Sequence, residues 1–310
     1  MKKVIHKQRP SNTKALVSLV VPFTELGLAV LLNTMLYSPI SYILSQLLLA
    51  LFFFQCFILL HECGHKSFFK SKRANQGFGH VMGFLSLIPF TSWVEIHNLH
   101  HKWTGFRDKD PTTEGTVNPK FSRFTRALVN ISWRLYIPLF TLGYRFGNYW
   151  NLEKMNRHLK PKDISRIRLN MIVLLLLYLG IIILVNKTLF FYVLPAYILS
   201  LVISDLVILS QHSHIDIPIA GNSPVRPIRY SDQVIYTRSI TFPRFLAHYF
   251  LFNFNLHEAH HQYPSLPAYY LGSASVDKSN APGFIEYLKR YKSLSGMNFV
   301  FNTKDKMKTP

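Results

Sequence analysis

The chain has 310 residues, with 35 Lys and Arg against 15 Asp and Glu for a net charge of +20, yet 49 % of it is apolar. The apolar residues fall in long runs separated by basic segments, a membrane pattern that excludes an ordinary soluble domain. With no nucleic-acid motif among the basic residues, membrane lipid headgroups are their expected partner and nucleic acid is not.

The first apolar run, Ala15–Leu36, follows a basic start as a signal peptide would. Its length and the lack of a small-residue cleavage site make it a retained span. Glu25 within it reads as a partly hydrated, snorkelling side chain. After the short link Tyr37-Ser-Pro-Ile40, a second span, Ile40–Leu60, runs directly into His61-Glu-Cys-Gly-His65. Cys56 and Cys63 offer no disulfide, because seven residues apart on one helix they are too distant to bridge.

A long basic region follows. Within it Gly77–Trp93 is apolar but broken by Gly and Pro, and reads as a re-entrant or interfacial segment leading to His97-Asn-Leu-His-His101. Phe121–Phe146 mixes aromatics with Arg123, Arg126, Arg134 and Arg145, as in a helix lying in the interface. Spans three and four, Leu169–Val185 and Leu189–Ser210, form a hairpin around Asn186-Lys-Thr, and the fourth ends at Gln211-His212-Ser-His214. An amphipathic stretch, Phe242–Phe254, then leads to His257-Glu-Ala-His-His261.

Three clusters therefore hold eight histidines. Spacings of three and four place the imidazoles of each cluster on one helical face. At this chain's histidine content an H-x-x-H-H match arises by chance roughly 0.03 times, and the chain has two. Topology allows the clusters to meet. Four spans leave both termini on one side, the first two clusters lie between spans two and three, and the hairpin returns the chain to that side before His212 and the third cluster. Every Lys and Arg except Lys187 lies on the cluster side, which the positive-inside rule makes cytoplasmic. The expected fold is an all-α membrane protein, a single domain over 1–310, with four transmembrane helices and a cytoplasmic helical cap carrying the clusters.

So many imidazoles exceed what one ion takes and point to two metals. Imidazole suits iron, copper, zinc and nickel, while the scarcity of oxygen ligands argues against magnesium or calcium. His61-Glu-Cys-Gly-His65 and His257-Glu-Ala-His-His261 also match H-E-x-x-H, the zinc protease signature, in which Glu62 would be the general base. That reading leaves the second cluster unexplained. A metal transporter would instead place its ligands at membrane depth.

From span two to about Tyr270 the chain resembles the membrane-bound fatty acid desaturase and hydroxylase superfamily. His61-Glu-Cys-Gly-His65 is similar to its first histidine box. Trp93-x3-His97-x2-His100-His101-x2-Thr104, with Asp108-x-Asp110-Pro111 downstream, is similar to the second. Gln211-His212, Tyr236-Thr-Arg-Ser239 and Asn255-Leu-His257-x2-His260-His261-x2-Pro264 resemble the return from span four and the third box. The resemblance implies two iron ions held by His61, His65, His97, His100, His101, His257, His260 and His261, with His212 as ninth ligand. It also implies dioxygen as co-substrate, a membrane lipid or acyl substrate, and electrons from a separate ferredoxin or b-type cytochrome. No fused donor domain is visible in the tail after Tyr270, and Lys102 and Arg107 are the expected docking patch. The outcome implied is a double bond in an acyl chain, with hydroxylation or ketolation of a lipid or carotenoid as the alternative.

Asp205, Glu62 and Glu258 are candidates to orient ligand histidines. Asp205 lies seven residues before His212, on nearly the same helical face. Asp110-Pro111 reads equally as a turn. His6, His80, His158 and His248 are isolated and read as surface or packing residues, and His214 as solvated or supporting rather than ligating.

Overall fold

The computed structural model describes residues 8–36, 38–117, 119–185, 187–274 and 281–302. His6, Tyr37 and Asn186, which the sequence reading placed at the basic start and in the two short links, lie outside them. Four helices are long and apolar enough to cross a bilayer: α1 (Asn12–Met35), α2 (Pro39–Gly64), α8 (Pro161–Leu184) and α9 (Lys187–His212). Between them lie α3 (Lys72–Leu85), α4 (Phe90–Trp103), α5 (Arg123–Arg134), α6 (Leu139–Tyr149) and α7 (Leu152–His158). After them come α10 (Arg244–Tyr249), α11 (His257–Gln262), α12 (Ala268–Leu271), α13 (Phe284–Lys292) and α14 (Gly296–Phe301). Among the described residues there is no strand, only an isolated bridge between Thr241 and Gly283.

The spans run beyond their expected ends because polar turns extend them: α2 continues through the first cluster, and α8 begins eight residues early, at Pro161. Helix α2 is the hub. Its start is fixed by Pro39 in the first turn and a reciprocal Ser38–Ser41 capping box. Two-thirds of its apolar window (67 %) is buried, against 17 % for α8, whose leucines and isoleucines face outward as a lipid-facing belt does. Glu25 does not snorkel: it is buried in the bundle, where its Oε1 accepts from Gln55 Nε2 at 3.4 Å.

The Gly- and Pro-broken segment is a bent pair, α3 and α4, turning through 103°. The turn frees carbonyls that a bilayer cannot satisfy. Neighbouring helices supply the donors: Arg145 Nη1 and Tyr197 Oη donate to the Ser86 carbonyl at 2.6 and 2.8 Å, Trp150 Nε1 to that of Leu87 at 3.0 Å, and Tyr178 Oη to that of Phe84 at 2.9 Å.

This changes the reading of Phe121–Phe146. It is two helices, α5 and α6, broken before Pro138, and Arg145 is turned into the interior with its guanidinium 5.7 Å from the Phe57 ring centroid. Asp205 likewise serves the fold. Its carboxylate accepts from the backbone N–H and hydroxyl of Thr141, satisfying the first turn of α6 where Pro138 has no capping side chain.

Candidate metal centre

The first cluster ends α2, with His61 in its last turn and His65 at its cap. The second lies in the last turns of α4, placing His97, His100 and His101 on its buried side. The third occupies the short α11, which is anchored from outside. Phe252 and Asn253 adopt left-handed backbone (φ 49° and 59°), and Asn255 Nδ2 donates to the Ile240 carbonyl at 2.7 Å. The expected amphipathic stretch Phe242–Phe254 is thus only the six-residue α10 followed by this turn.

Two groups of imidazoles result: His61, His65, His97 and His260, and His100, His212, His257 and His261. Within each, the four ligand nitrogens lie within 4.8 Å of one another. His101 adjoins the first group, its Nε2 being 3.1 and 3.0 Å from those of His97 and His260. The groups abut: the His97 and His100 ring centroids are 5.5 Å apart, as are those of His257 and His260.

The protonation pattern is set by oxygen acceptors. Asp110 Oδ2 lies 2.7 Å from His100 Nδ1, Gln233 Oε1 2.9 Å from His261 Nδ1, and the Tyr236 carbonyl 3.2 Å from His212 Nδ1. Glu62 Oε1 lies 3.1 Å from His61 Nδ1. These oxygens accept, so each Nδ1 donates and each Nε2 is left as a lone pair directed inward. His61 Nε2 is buried with no hydrogen-bond partner. Elsewhere ring nitrogens face one another, His257 Nε2 to His212 at 2.8 Å and to His261 at 3.1 Å, and His65 Nε2 to His97 at 2.9 Å.

Where both nitrogens of a pair carry lone pairs, such distances are repulsive unless a cation lies between them. Two nitrogens each about 2.1 Å from one ion sit roughly 3–3.4 Å apart. Burial also pushes the pKa of His97, His101, His257, His260 and His261 well below the ordinary value, and neighbouring imidazoles add to the effect; His65 falls to about 3 for the same reasons. All are thereby held neutral, the form that ligates. The donor set fits two divalent ions of imidazole-preferring type.

Of the orienting candidates, Glu62 touches a histidine, and its Oε2 also accepts from the Ala268 N–H at 2.9 Å. Held on both sides, and beside four gathered imidazoles, it does not have the arrangement of a protease general base. Asp205 meets Thr141 rather than a histidine. Glu258 donates its backbone N–H to Ser239 Oγ at 3.1 Å, and its carboxylate adds to the charge around Arg238. His214 stands outside both groups, 5.8 Å from the Tyr291 ring centroid, and His158 pairs with Glu114 at 3.1 Å.

Asp110 is more than a turn residue. It is buried against His100, and although burial raises its pKa, His100 and Thr112 outweigh that and lower it. Gln233 escaped the sequence reading; besides His261 it holds the His101 carbonyl, through Nε2 at 2.7 Å.

An apolar cavity and a polar opening among the described residues reach the centre. The apolar cavity, of about 110 Å³ between α2, α6 and α9, is lined by Phe57, Phe140, Tyr144, Ile208 and Leu209, with His212 in its wall and Arg107 at its polar side. The polar opening, of about 480 Å³, has His65 and His101 in its walls and Lys66, Lys102 and Tyr230 around it. Lys102 and Arg107, expected to form one patch, thus line different openings.

The fatty acid desaturase family model matches residues 37–290. A fatty acid desaturase of Bacillus subtilis (strain 168) is 32 % identical over 160 residues, 45 % of this chain and 45 % of its own length. An sn-1 acyl-lipid omega-3 desaturase (ferredoxin) of Synechocystis sp. is 32 % identical over 113 residues, 36 % of this chain and 30 % of its own. A Delta(12) fatty acid desaturase of Mortierella isabellina is 45 % identical over 53 residues, 17 % of this chain and 13 % of its own. The chain aligns with less than half the length of each of these relatives. The family match, by contrast, extends from the start of α2 into α13 and includes all nine histidines of the centre: the chain belongs to the fatty acid desaturase family.

Proposed function

We propose that residues 1–310 form a single-domain, dioxygen-dependent di-iron desaturase that introduces a double bond into the acyl chain of a membrane lipid. The observation that carries this reading is the pair of four-imidazole groups, abutting beside an apolar cavity. The eight imidazoles of the two groups would hold two iron ions, whose redox chemistry would let dioxygen, with two electrons from a separate donor, serve as the oxidant for an unactivated C–H bond.

The chain's own residues do the rest. Asp110, Gln233, Glu62 and the Tyr236 carbonyl fix the ligand rings. Phe57, Phe140, Ile208 and Leu209 exclude water and align the substrate, and because His212 belongs to both centre and cavity, a methylene in the cavity lies against the second imidazole group. The relatives' names favour a double bond over an alcohol as the product. A separate electron donor, a ferredoxin or b-type cytochrome, fits the polar opening, where Lys66 and Lys102 offer a basic rim beside His65 and His101. Lys187, at the start of α9, is the only cation at the turn between the third and fourth spans, and by the positive-inside rule this charge bias supports a cytoplasmic side for the centre and both termini.

The test is a mass-spectrometric lipid profile of a bacterial host expressing the protein with ferredoxin, beside the His260→Ala variant. The expected result is a new unsaturated acyl species absent from the variant. A hydroxyacyl product would replace desaturation by hydroxylation, and identical profiles would refute the acyl reading.

A further inference from the structure

A lateral groove with none of the nine histidines in its lining lies on the outer side of the bent pair. One face of α3 (Gln76, His80, Val81, Phe84) and one face of α8 (Arg166, Leu169, Asn170, Val173, Leu174, Leu177) stand opposite each other across this groove, of about 620 Å³. The spacings are those of single helical faces, so both walls are continuous. The floor is closed where the Thr91 N–H donates to Asn170 Oδ1 at 3.1 Å. The deep end is closed by the Phe84 and Tyr178 rings, stacked with centroids 5.2 Å apart.

Polarity along the groove is graded. From Val81 and Phe84 to Leu177 the walls are apolar, whereas the other end holds Gln76, His80 and Arg166. There it continues into a pocket of about 320 Å³ that shares those three residues and adds Lys66 and Lys72, with Glu95 as the only acid lining either space among the described residues. Arg166 makes only a long contact with Asp163, 3.9 Å, with its side chain 58 % exposed, and Glu95 lies within electrostatic reach of it; Lys72 adds a second cation on the facing helix, so the pocket stays net positive. From Arg166 to Leu177 the groove follows α8 for about 16 Å at the helical rise. That matches one leaflet, half of the roughly 30 Å hydrocarbon core.

We propose that this groove is a binding site for a single membrane glycerophospholipid with an anionic headgroup, distinct from the acyl substrate site. Its phosphate lies between Arg166 and Lys72, and one acyl chain runs down between α3 and α8 as far as the Phe84–Tyr178 stack. Charge complementarity selects the headgroup, and the depth of the groove selects a lipid over a free phosphate, which leaves the apolar part uncovered. The bound chain completes the packing between α8 and the bent pair, which the protein alone leaves open on this side. The proposal rests on the membrane placement of α8 and not on the chemistry of the metal centre.

The test uses the full-length protein in nanodiscs of equimolar phosphatidylglycerol and phosphatidylcholine, released in mild detergent, with retained lipid counted by native mass spectrometry. One retained phosphatidylglycerol per protein is expected. Combined Arg166→Gln and Lys72→Gln should lower the preference over phosphatidylcholine by roughly 25-fold, at roughly fivefold per basic residue near an anionic headgroup. Val81→Trp fills the groove from α3 and should abolish retention of either lipid; Leu177→Trp does so from α8, which separates loss of the site from misfolding of one variant. Leu184→Trp, beyond the groove on α8, should change nothing. Equal retention of the two lipids, an unchanged preference in the charge variant, or retention by both groove-filling variants would overturn the proposal.

Discussion

Asp110 Oδ2 and His100 Nδ1 lie 2.7 Å apart in the interior, and Thr112, whose backbone N–H and hydroxyl both donate to Asp110 Oδ1 at 2.8 Å, holds the carboxylate in place. The pairing fixes which nitrogen of His100 is free for a metal. Asp110→Asn keeps the shape and removes the charge, so metal affinity should fall about 10- to 100-fold, the usual effect of losing a partner of a ligand histidine. Iron content across a chelator titration checks this, and an unchanged titration curve would show that Asp110 is only a turn residue.

Gln233 offers a sharper test, because it serves the two groups unequally. Its amide oxygen orients His261, whereas its amide nitrogen reaches only the backbone of His101. Gln233→Leu should therefore release metal first from the group of His100, His212, His257 and His261, giving one tightly held ion where the proposed centre of the wild type would hold two. His214→Ala, outside both groups, should keep both ions. Metal-to-protein ratios after dialysis decide between these outcomes.

Gly64 is required by a close approach. A Cβ there would come within 2.2 Å of the Trp93 ring, and Trp93 in turn stacks on His97 with centroids 4.2 Å apart. Gly64→Ala should thus cost roughly 1–3 kcal/mol through overpacking and displace a ligand ring as well. Gly180→Ala on α8, where a Cβ meets nothing within 4 Å, should be neutral or slightly stabilising. Thermal midpoints and metal content of the two variants make the comparison.

The three histidine clusters were legible because helical spacing is a local property: separations of three and four put rings on one face whatever the tertiary structure, whereas His212, outside any cluster, entered only through the family resemblance. Span count and charge bias then showed that the clusters could share a side. What the sequence hid was non-local. Arg145 reads as an interfacial arginine until the bend of α3 and α4 exposes a carbonyl that needs it. Asp205 has the right periodicity to reach His212 but meets the unsatisfied start of α6. Gln233 belongs to no repeat, and only the fold brings it to His261.

The buried histidines also set a pH dependence. The pKa values of His97, His101, His257, His260 and His261 lie well below 6.5 in the folded protein, with burial as the main cause. Below that pH the unfolded chain takes up protons that the folded chain does not, so stability is fully present above it and is lost as the pH falls. Each such group contributes a slope of about 1.4 kcal/mol per pH unit. The metal-free protein should lose thermal stability steeply between about pH 7 and about pH 5, and His260→Ala should show a shallower loss. A flat profile would mean that these imidazoles are protonated in the folded state.

Lys66 and Lys102 flank the opening that leads to His65 and His101, while Arg107 lines the apolar cavity, where its Nε donates to Thr116 Oγ1 at 2.8 Å. If an acidic carrier delivers electrons at that opening, Lys66→Glu with Lys102→Glu should slow turnover with reduced ferredoxin at low salt by about tenfold or more, and the deficit should shrink as the Debye length shortens. Turnover driven by a small chemical reductant should be unaffected, because nothing needs to dock. Arg107→Gln should leave the slope of rate against ionic strength as it is in the wild type, whatever it does to the rate itself. Parallel salt slopes for the double lysine variant and the wild type would move the docking surface elsewhere on the basic face.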